Sequence, residues 1–326
     1  MGKALKNDLV KTLIIDVENI FLPHSMPLLS FYLSSQLVST GRSVTILSKS
    51  TVPEYELFDQ VEYIAGDFSQ LSLIRSLLKT HQEVIYIAYT VVPSSTENDS
   101  LQELMQNLTP AIQLFSEAAK TGAKLVLIST GGMVYGEALK LPINEHHLTK
   151  PISSYGMIKL TLENYAYLYA GTYGLKYICV RPSNIYGEGQ RPFSGQGFIA
   201  TAMMSAIKGQ PIQIFGQQGT IRDYIYVSDL ASGIVNALEY GQLSETYNIG
   251  SGIGLSNLEV FNVIEVLMHE INCNVKVSFL PERGDDLKVN ILDSTKLQAH
   301  SGWAPKVEFY DGMRRTRAWL SKIENE

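Results

Sequence analysis

The chain has 326 residues, 45% hydrophobic and 18% charged, with a net charge of -6, so it can bury a large core and has no electrostatic reason to bind DNA or RNA. Its two cysteines, Cys179 and Cys273, lie far apart without the spacing of a metal site or a disulfide framework, so no metal is expected. The opening stretch MGKALKNDLVKTLIID lacks a signal-peptide pattern, and no apolar run reaches the roughly 18 residues of a membrane span, so a reducing cytoplasmic location without a membrane partner is expected.

In chain order, short β-branched runs alternate with longer amphipathic stretches, the pattern of βαβ units building a parallel sheet. Strands are predicted at Thr12 to Asp16, Ser43 to Leu47, Val61 to Ile64, Glu83 to Ala88, Lys124 to Ser129 and Leu175 to Arg181. Helices are predicted between them at about Met26 to Thr40, Gln70 to Thr80, Leu101 to Thr121 and Ser154 to Ala170. Gly41 and Gly122 follow two of these helices, where a left-handed cap is expected. After Arg181 the stretch NIYGEGQRPFSGQG breaks the rhythm and reads as a functional loop. Beyond it, helices are predicted near Gly197 to Lys208, Ser228 to Glu239, Asn257 to Glu270 and Tyr310 to Ile323, with strands near Pro211 to Phe215 and Val275 to Leu280. The fold class is therefore α/β, a Rossmann-like doubly wound parallel sheet with a smaller mixed C-terminal lobe. Residues 1–181, joined by some later segments, are expected to form the sheet domain, and 182–326 mainly the smaller lobe.

Tyr155 and Lys159 stand four residues apart in a predicted helix, so both leave the same face. A phenol titrates near about 10, and a neighbouring ammonium stabilises the phenolate, lowering that value so the tyrosine can take a proton from a substrate hydroxyl. This is the only Tyr-x-x-x-Lys in the chain, and it follows a strand that ends in Ser129 and Thr130, at the sheet edge where open α/β folds bind ligands.

The segments STGGMVYG, PISSYGMIKL and RPSNIYG, followed in order by DYIYVSDLASGIVNAL, YNIGSG, ERGDD and SGWAPKVEFYDGMRRTRAWL, resemble the extended short-chain dehydrogenases, specifically nucleotide-sugar 4-epimerases. The resemblance implies Tyr155 as acid/base, Lys159 as its electrostatic partner and a holder of the nicotinamide ribose, and Thr130 as the hydroxyl that bonds the sugar, with Ser129 the alternative. It implies Asp67 and Phe68 at the adenine, Ala88 and Asn107 supporting the cofactor, Arg222 and Arg283 on the diphosphate, and Asn184 on phosphate or sugar. Asn290, seven residues after Arg283, falls where a residue flanks the sugar's 2-substituent; being smaller than an aromatic, it leaves room for an N-acetylated UDP-hexose. A homodimer through the Leu101 and Ser154 helices is likewise implied. Relatives that remove water carry Asp and Glu after the threonine; here those places are Gly131 and Gly132, which disfavours dehydration.

The cofactor end departs from the pattern. The first strand runs into IIDVENIFLPHSMPLLSFYL, and the three glycine places expected to meet a pyrophosphate read Asp16, Asn19 and Leu22. Ser25 is a candidate cap for the following helix, with His24 beside it. The second strand ends Leu47-Ser48-Lys49, lacking the acid that holds an NAD ribose, so Ser48 is a candidate for NADP as well as NAD. The sequence supports an active epimerase. A nucleotide-sugar-binding protein without dinucleotide and a 4-ketoreductase are the alternatives.

Overall fold

The computed structural model describes residues 9–16, 27–53, 55–89, 100–194, 197–284 and 286–324. Its first half runs β1 (Lys11–Ile15), α1 (Pro27–Ser39), β2 (Ser43–Ser48), β3 (Val61–Ala65), α2 (Leu71–Leu78), β4 (Glu83–Tyr86), α3 (Ser100–Thr121), β5 (Lys124–Ile128), α4 (Ser154–Tyr173) and β6 (Lys176–Pro182). The strands inside the sheet are almost fully apolar and buried, as a sheet covered on both faces requires, while β3 at its edge is partly exposed; Leu13, Ile14, Ile46, Ile85, Val126 and Val180 are all inaccessible. Gly41 and Gly122 take positive φ (83° and 75°) where α1 and α3 end, as expected of left-handed caps.

The second half adds β7 (Asn184–Tyr186), α5 (Phe198–Ile207), β8 (Ile212–Phe215), β9 (Ile221–Tyr226), α6 (Val227–Tyr240), β10 (Thr246–Ile249), β11 (Gly254–Ser256), α7 (Asn257–His269), β12 (Val277–Leu280), β13 (Val289–Asn290), α8 (Thr295–Ser301) and α9 (Phe309–Glu324). Strands β7, β9, β10, β11 and β13 and helix α8 are absent from the sequence-based expectation. They have two to seven residues, too few for a periodic signal, and form because tertiary partners hold them.

The main sheet has seven parallel strands in the order β10-β6-β5-β4-β1-β2-β3. The order reverses between β4 and β1, so the crevice outside their carboxyl ends is the place where such a sheet takes a ligand. Three expected strands end earlier than predicted, β5 by one residue at Ile128. β1 stops at Ile15 and β4 at Tyr86, because the amides of both Ile87 and Ala88 turn onto the Ile15 carbonyl at 3.0 and 3.2 Å. β10 returns from the second half to pair with β6. A separate small sheet joins β11, β9 and β13, with β7 beside β9, and brings Arg222 opposite Asn290 and Tyr224 opposite Asn184.

Candidate active site

Tyr155 lies in the first turn of α4, capped by Ser153, whose hydroxyl accepts from the Gly156 amide at 3.1 Å. Gly156 lets this turn lie against the loop after β5: a Cβ there would stand 2.8 Å from the Met133 carbonyl oxygen and 2.9 Å from Pro151. Lys159, one turn on, is only 2% exposed and donates from Nζ to the Ile128 carbonyl at 2.9 Å. Its ammonium faces two rings, 5.3 Å from the Tyr89 centroid and 5.9 Å from that of Tyr155. Burial pushes the lysine down to about 8 and the Tyr155 phenol up to about 12.

The second shift corrects the expectation of a tyrosine already acidified by its lysine. Without a ligand the ammonium is spent on a carbonyl and on ring faces, and desolvation alone governs the phenol. In the ligand-free arrangement burial thus disfavours both charged forms, the phenolate and the ammonium.

Ser129 and Thr130 separate. The Ser129 hydroxyl is buried and donates to Glu163, whose carboxylate also takes Arg181 Nε at 3.0 Å and pairs with Arg181 Nη2. Arg181 Nη1 reaches Tyr135 Oη at 2.9 Å, and that hydroxyl donates to Asn248 at 2.7 Å. Ser129 is thus fastened into a buried network behind the site, which corrects its place as the alternative sugar-bonding hydroxyl. Glu163 lies four residues after Lys159, on the same helix face, a spacing that could have flagged it in the sequence. The Thr130 hydroxyl makes no hydrogen bond among the described residues, and its Oγ1 would lie 3.8 Å from a Cβ on Gly132, with Asn184 Oδ1 at 3.5 Å from the same point. Gly131, by contrast, has no room for a side chain, since a Cβ would meet Leu292 Cδ1 at 2.4 Å and the Arg181 carbonyl at 3.1 Å.

Asn290 differs from the expected open setting. It is fully buried, and its Nδ2 donates to the Gly131 carbonyl at 3.0 Å, so it clamps the strand-end segment from behind; its Oδ1 has no partner among the described residues. Arg222 is mostly buried, donates to the Ile221 carbonyl at 3.0 Å and stands 4.0 Å from Asp286; burial lowers its affinity for its proton. Arg283 is exposed and stacks 3.7 Å from the Phe215 centroid. The two arginines thus lie on neighbouring segments of the second half, one pre-set by β9 and the other free to reorient.

At the far end of the crevice Asp67 accepts from the Ser69 amide at 2.8 Å and pairs with Lys49 at 3.1 Å. Burial opposes the charge on Asp67, but these bonds outweigh it and hold the carboxyl below its usual range. Lys49 also lies 5.7 Å over Phe68, which is buried against Tyr86. Ser48 is buried and accepts from the Ser50 amide at 3.3 Å, and Ala88 is buried at the β4 edge. Asn107 is inaccessible and donates to the Glu103 carbonyl one turn earlier. Asp16 is 6% exposed, and its carboxylate accepts from Ser30 in α1. Glu18, Asn19, Leu22, His24, Ser25 and Met26 lie outside the described residues.

Two residues that the sequence did not single out complete the centre. Tyr89, three residues past β4, sets its ring edge-on to Tyr155, with centroids 4.7 Å apart, and donates to Glu103 at 2.5 Å. Glu103 also accepts from Ser154 at 2.5 Å. Their only signal in sequence is the i, i+4 spacing of Glu103 and Asn107 on α3.

A doubly wound parallel sheet with a Tyr and Lys pair at its carboxyl edge defines an enzyme of the short-chain dehydrogenase type. Residues 29–250 match the NAD dependent epimerase/dehydratase family, and the chain belongs to that family. The match starts inside α1, leaving out β1 and the turn after it. The chain is 27% identical over 281 residues to the UDP-glucose 4-epimerase of Mycolicibacterium smegmatis, covering 86% of this chain and 87% of that one. It is 29% identical over 318 residues to the Escherichia coli dTDP-4-dehydro-6-deoxyglucose reductase, covering 96% and 92%. Among solved structures, the Thermotoga maritima UDP-glucose 4-epimerase with UDP-glucose superposes with a TM-score of 0.85 at 25% identity, covering 96% of this chain and 99% of that one. The Thermus thermophilus UDP-glucose 4-epimerase with NAD gives 0.81 at 27% identity, covering 95% and 99%.

The cofactor of this family is NAD, and the chain fits it at both ends. Asp67, Phe68 and Lys49 offer an acid, an aromatic wall and a cation at the β2–β3 edge, and Lys159 offers donors at the β5 edge. Between them, the acid Asp16 stands at the end of β1 in place of a glycine.

Proposed function

We propose that the protein is a nucleotide-sugar 4-epimerase acting on a UDP-hexose or a UDP-N-acetylhexosamine through a transient 4-keto sugar. The observation that carries this reading is the set formed by Tyr155, Lys159 and the unbonded Thr130 hydroxyl, beside Asn184, with glycines where a dehydratase needs an acid and a base. Arg222 and Arg283 supply cations for the diphosphate, Arg283 by leaving the Phe215 face. Thr130 bonds the oxygen on C4 and orients it. The Lys159 ammonium stabilises the Tyr155 phenolate, which takes the proton from that hydroxyl to become a neutral phenol and later returns it. When bound, NAD supplies the acceptor and donor of the C4 hydride.

The Escherichia coli reductase relative favours a second reading, a nucleotide-sugar 4-ketoreductase built on the same Tyr155 and Lys159. The two differ in redox balance: an epimerase interconverts UDP-sugars with no net use of dinucleotide, and a reductase consumes it mole for mole. The experiment is to denature the purified protein, identify any released NAD or NADP, and then follow UDP-glucose and UDP-GlcNAc by NMR with and without added dinucleotide. Interconversion that leaves the dinucleotide unchanged, and that falls at least about 100-fold in Tyr155→Phe, supports the proposal. A Tyr155→Phe variant as active as the parent would defeat the mechanism.

We also propose a homodimer through α3 and α4. These neighbouring helices leave Leu101, Met105, Met157 and Leu168 between 52% and 62% exposed, a large apolar area for a free surface. A sedimentation mass of one chain would refute it.

A further inference from the structure

We propose that Tyr89 is a latch across the dinucleotide crevice, fastened by Glu103, which must swing away from Lys159 before a nicotinamide ribose can be held. The inference rests on the chain binding NAD. Lys159 is the residue expected to grip that ribose, yet it is 2% exposed, so no ligand atom can reach it in this arrangement. One of its donors is taken by the Ile128 carbonyl, and its open side is covered by the Tyr89 and Tyr155 rings. Those rings stand edge to face with centroids 4.7 Å apart, which is van der Waals contact, so nothing can be inserted between them.

One of the two rings must therefore move, and the surroundings choose which. Tyr155 belongs to the capped first turn of α4, pinned against Met133 through Gly156. Tyr89 lies beyond the last residue of β4, outside the sheet ladder. Its phenol is held by the charge-assisted bond to Glu103, which in turn holds Ser154 at the start of α4. Burial, and after it the carboxylate, raise the phenol far above its usual range, so Tyr89 remains a donor at any working pH. The latch also lies at the sheet's switch point, with Asp16 at the end of β1 on the other side of the β4–β1 crevice.

The test uses protein freed of dinucleotide on charcoal and mixed with NAD in a stopped-flow instrument, with protein fluorescence as the signal. Losing one charge-assisted hydrogen bond favours the open state by a factor of about 10 or more, so Tyr89→Phe should associate with NAD about tenfold faster than the parent. Tyr89→Ala, which removes the ring as well, should be at least as fast. Should the alanine variant fail to fold, the phenylalanine variant carries the test. Association at the parent's rate or slower in a folded Tyr89→Phe would overturn the latch. NAD binding to none of the three proteins would instead overturn the cofactor reading, and the latch with it.

Discussion

Replacing Lys159 by Met should change how stability depends on pH, by an amount the structure sets. Burial lowers the lysine from 10.5 to about 8, worth roughly 3 kcal/mol at about 1.4 kcal/mol per pH unit. The sign follows from linkage. Below pH 8 both folded and unfolded chains carry the ammonium, and the folded state bears the full desolvation penalty. Between about pH 8 and 10.5 the folded lysine loses its proton first, so the parent gains stability relative to a variant with nothing to titrate there. Above 10.5 both states are neutral and the penalty is gone. At pH 7 the methionine escapes the penalty but leaves the Ile128 carbonyl without its donor, about 1–3 kcal/mol in the other direction. The net change there is small, and the slope is the sharper observable. Urea unfolding of the ligand-free proteins at several pH values from 7 to 10.5 should show the parent rising against Lys159→Met by about 3 kcal/mol. Parallel curves would refute the argument that this ammonium is buried against its own solvation.

The same titration bears on activity: kcat/KM for UDP-sugar interconversion should fall above about pH 8 as the charge that stabilises the Tyr155 phenolate disappears, and a flat alkaline limb would count against it. Arg181→Met should destabilise the fold by about 3–5 kcal/mol, because it leaves the Glu163 carboxylate buried without its ion-pair partner; thermal melting checks the direction. Gly156→Ala puts two effects in competition, since alanine gains about 1 kcal/mol of helix propensity, whereas a Cβ 2.8 Å from the Met133 carbonyl must push the first turn of α4 aside. The contact is with backbone and should win, giving a lower melting temperature and a lower kcat, since Tyr155 shifts with that turn. Arg283→Ala should raise KM for the UDP-sugar with little loss of melting temperature, because the side chain is exposed and bonded only across the Phe215 ring.

The parallel sheet, the helices that cross it and the positions of Tyr155 and Lys159 are legible in the amino-acid order. Each of those rests on a local pattern: a run of β-branched residues, a 3.6-residue period, a glycine where a helix must stop, two side chains one turn apart. Which groups those residues meet depends instead on long-range packing. Ser129 and Thr130 are neighbours with equal chemistry, and Glu163 on a distant helix is what takes one hydroxyl and leaves the other unbonded. Asn290 was placed beside the sugar by its distance from Arg283, but packing turned it onto the Gly131 carbonyl instead. Tyr89 carries no motif at all, and it matters because β4 ends where α3 and α4 bring Glu103, Tyr155 and Lys159 together. Burial likewise comes from atoms remote in sequence, and here it reversed the expected acidity of Tyr155: an ammonium four residues away promises a low pKa, but the fold directs that charge to a carbonyl and removes the water.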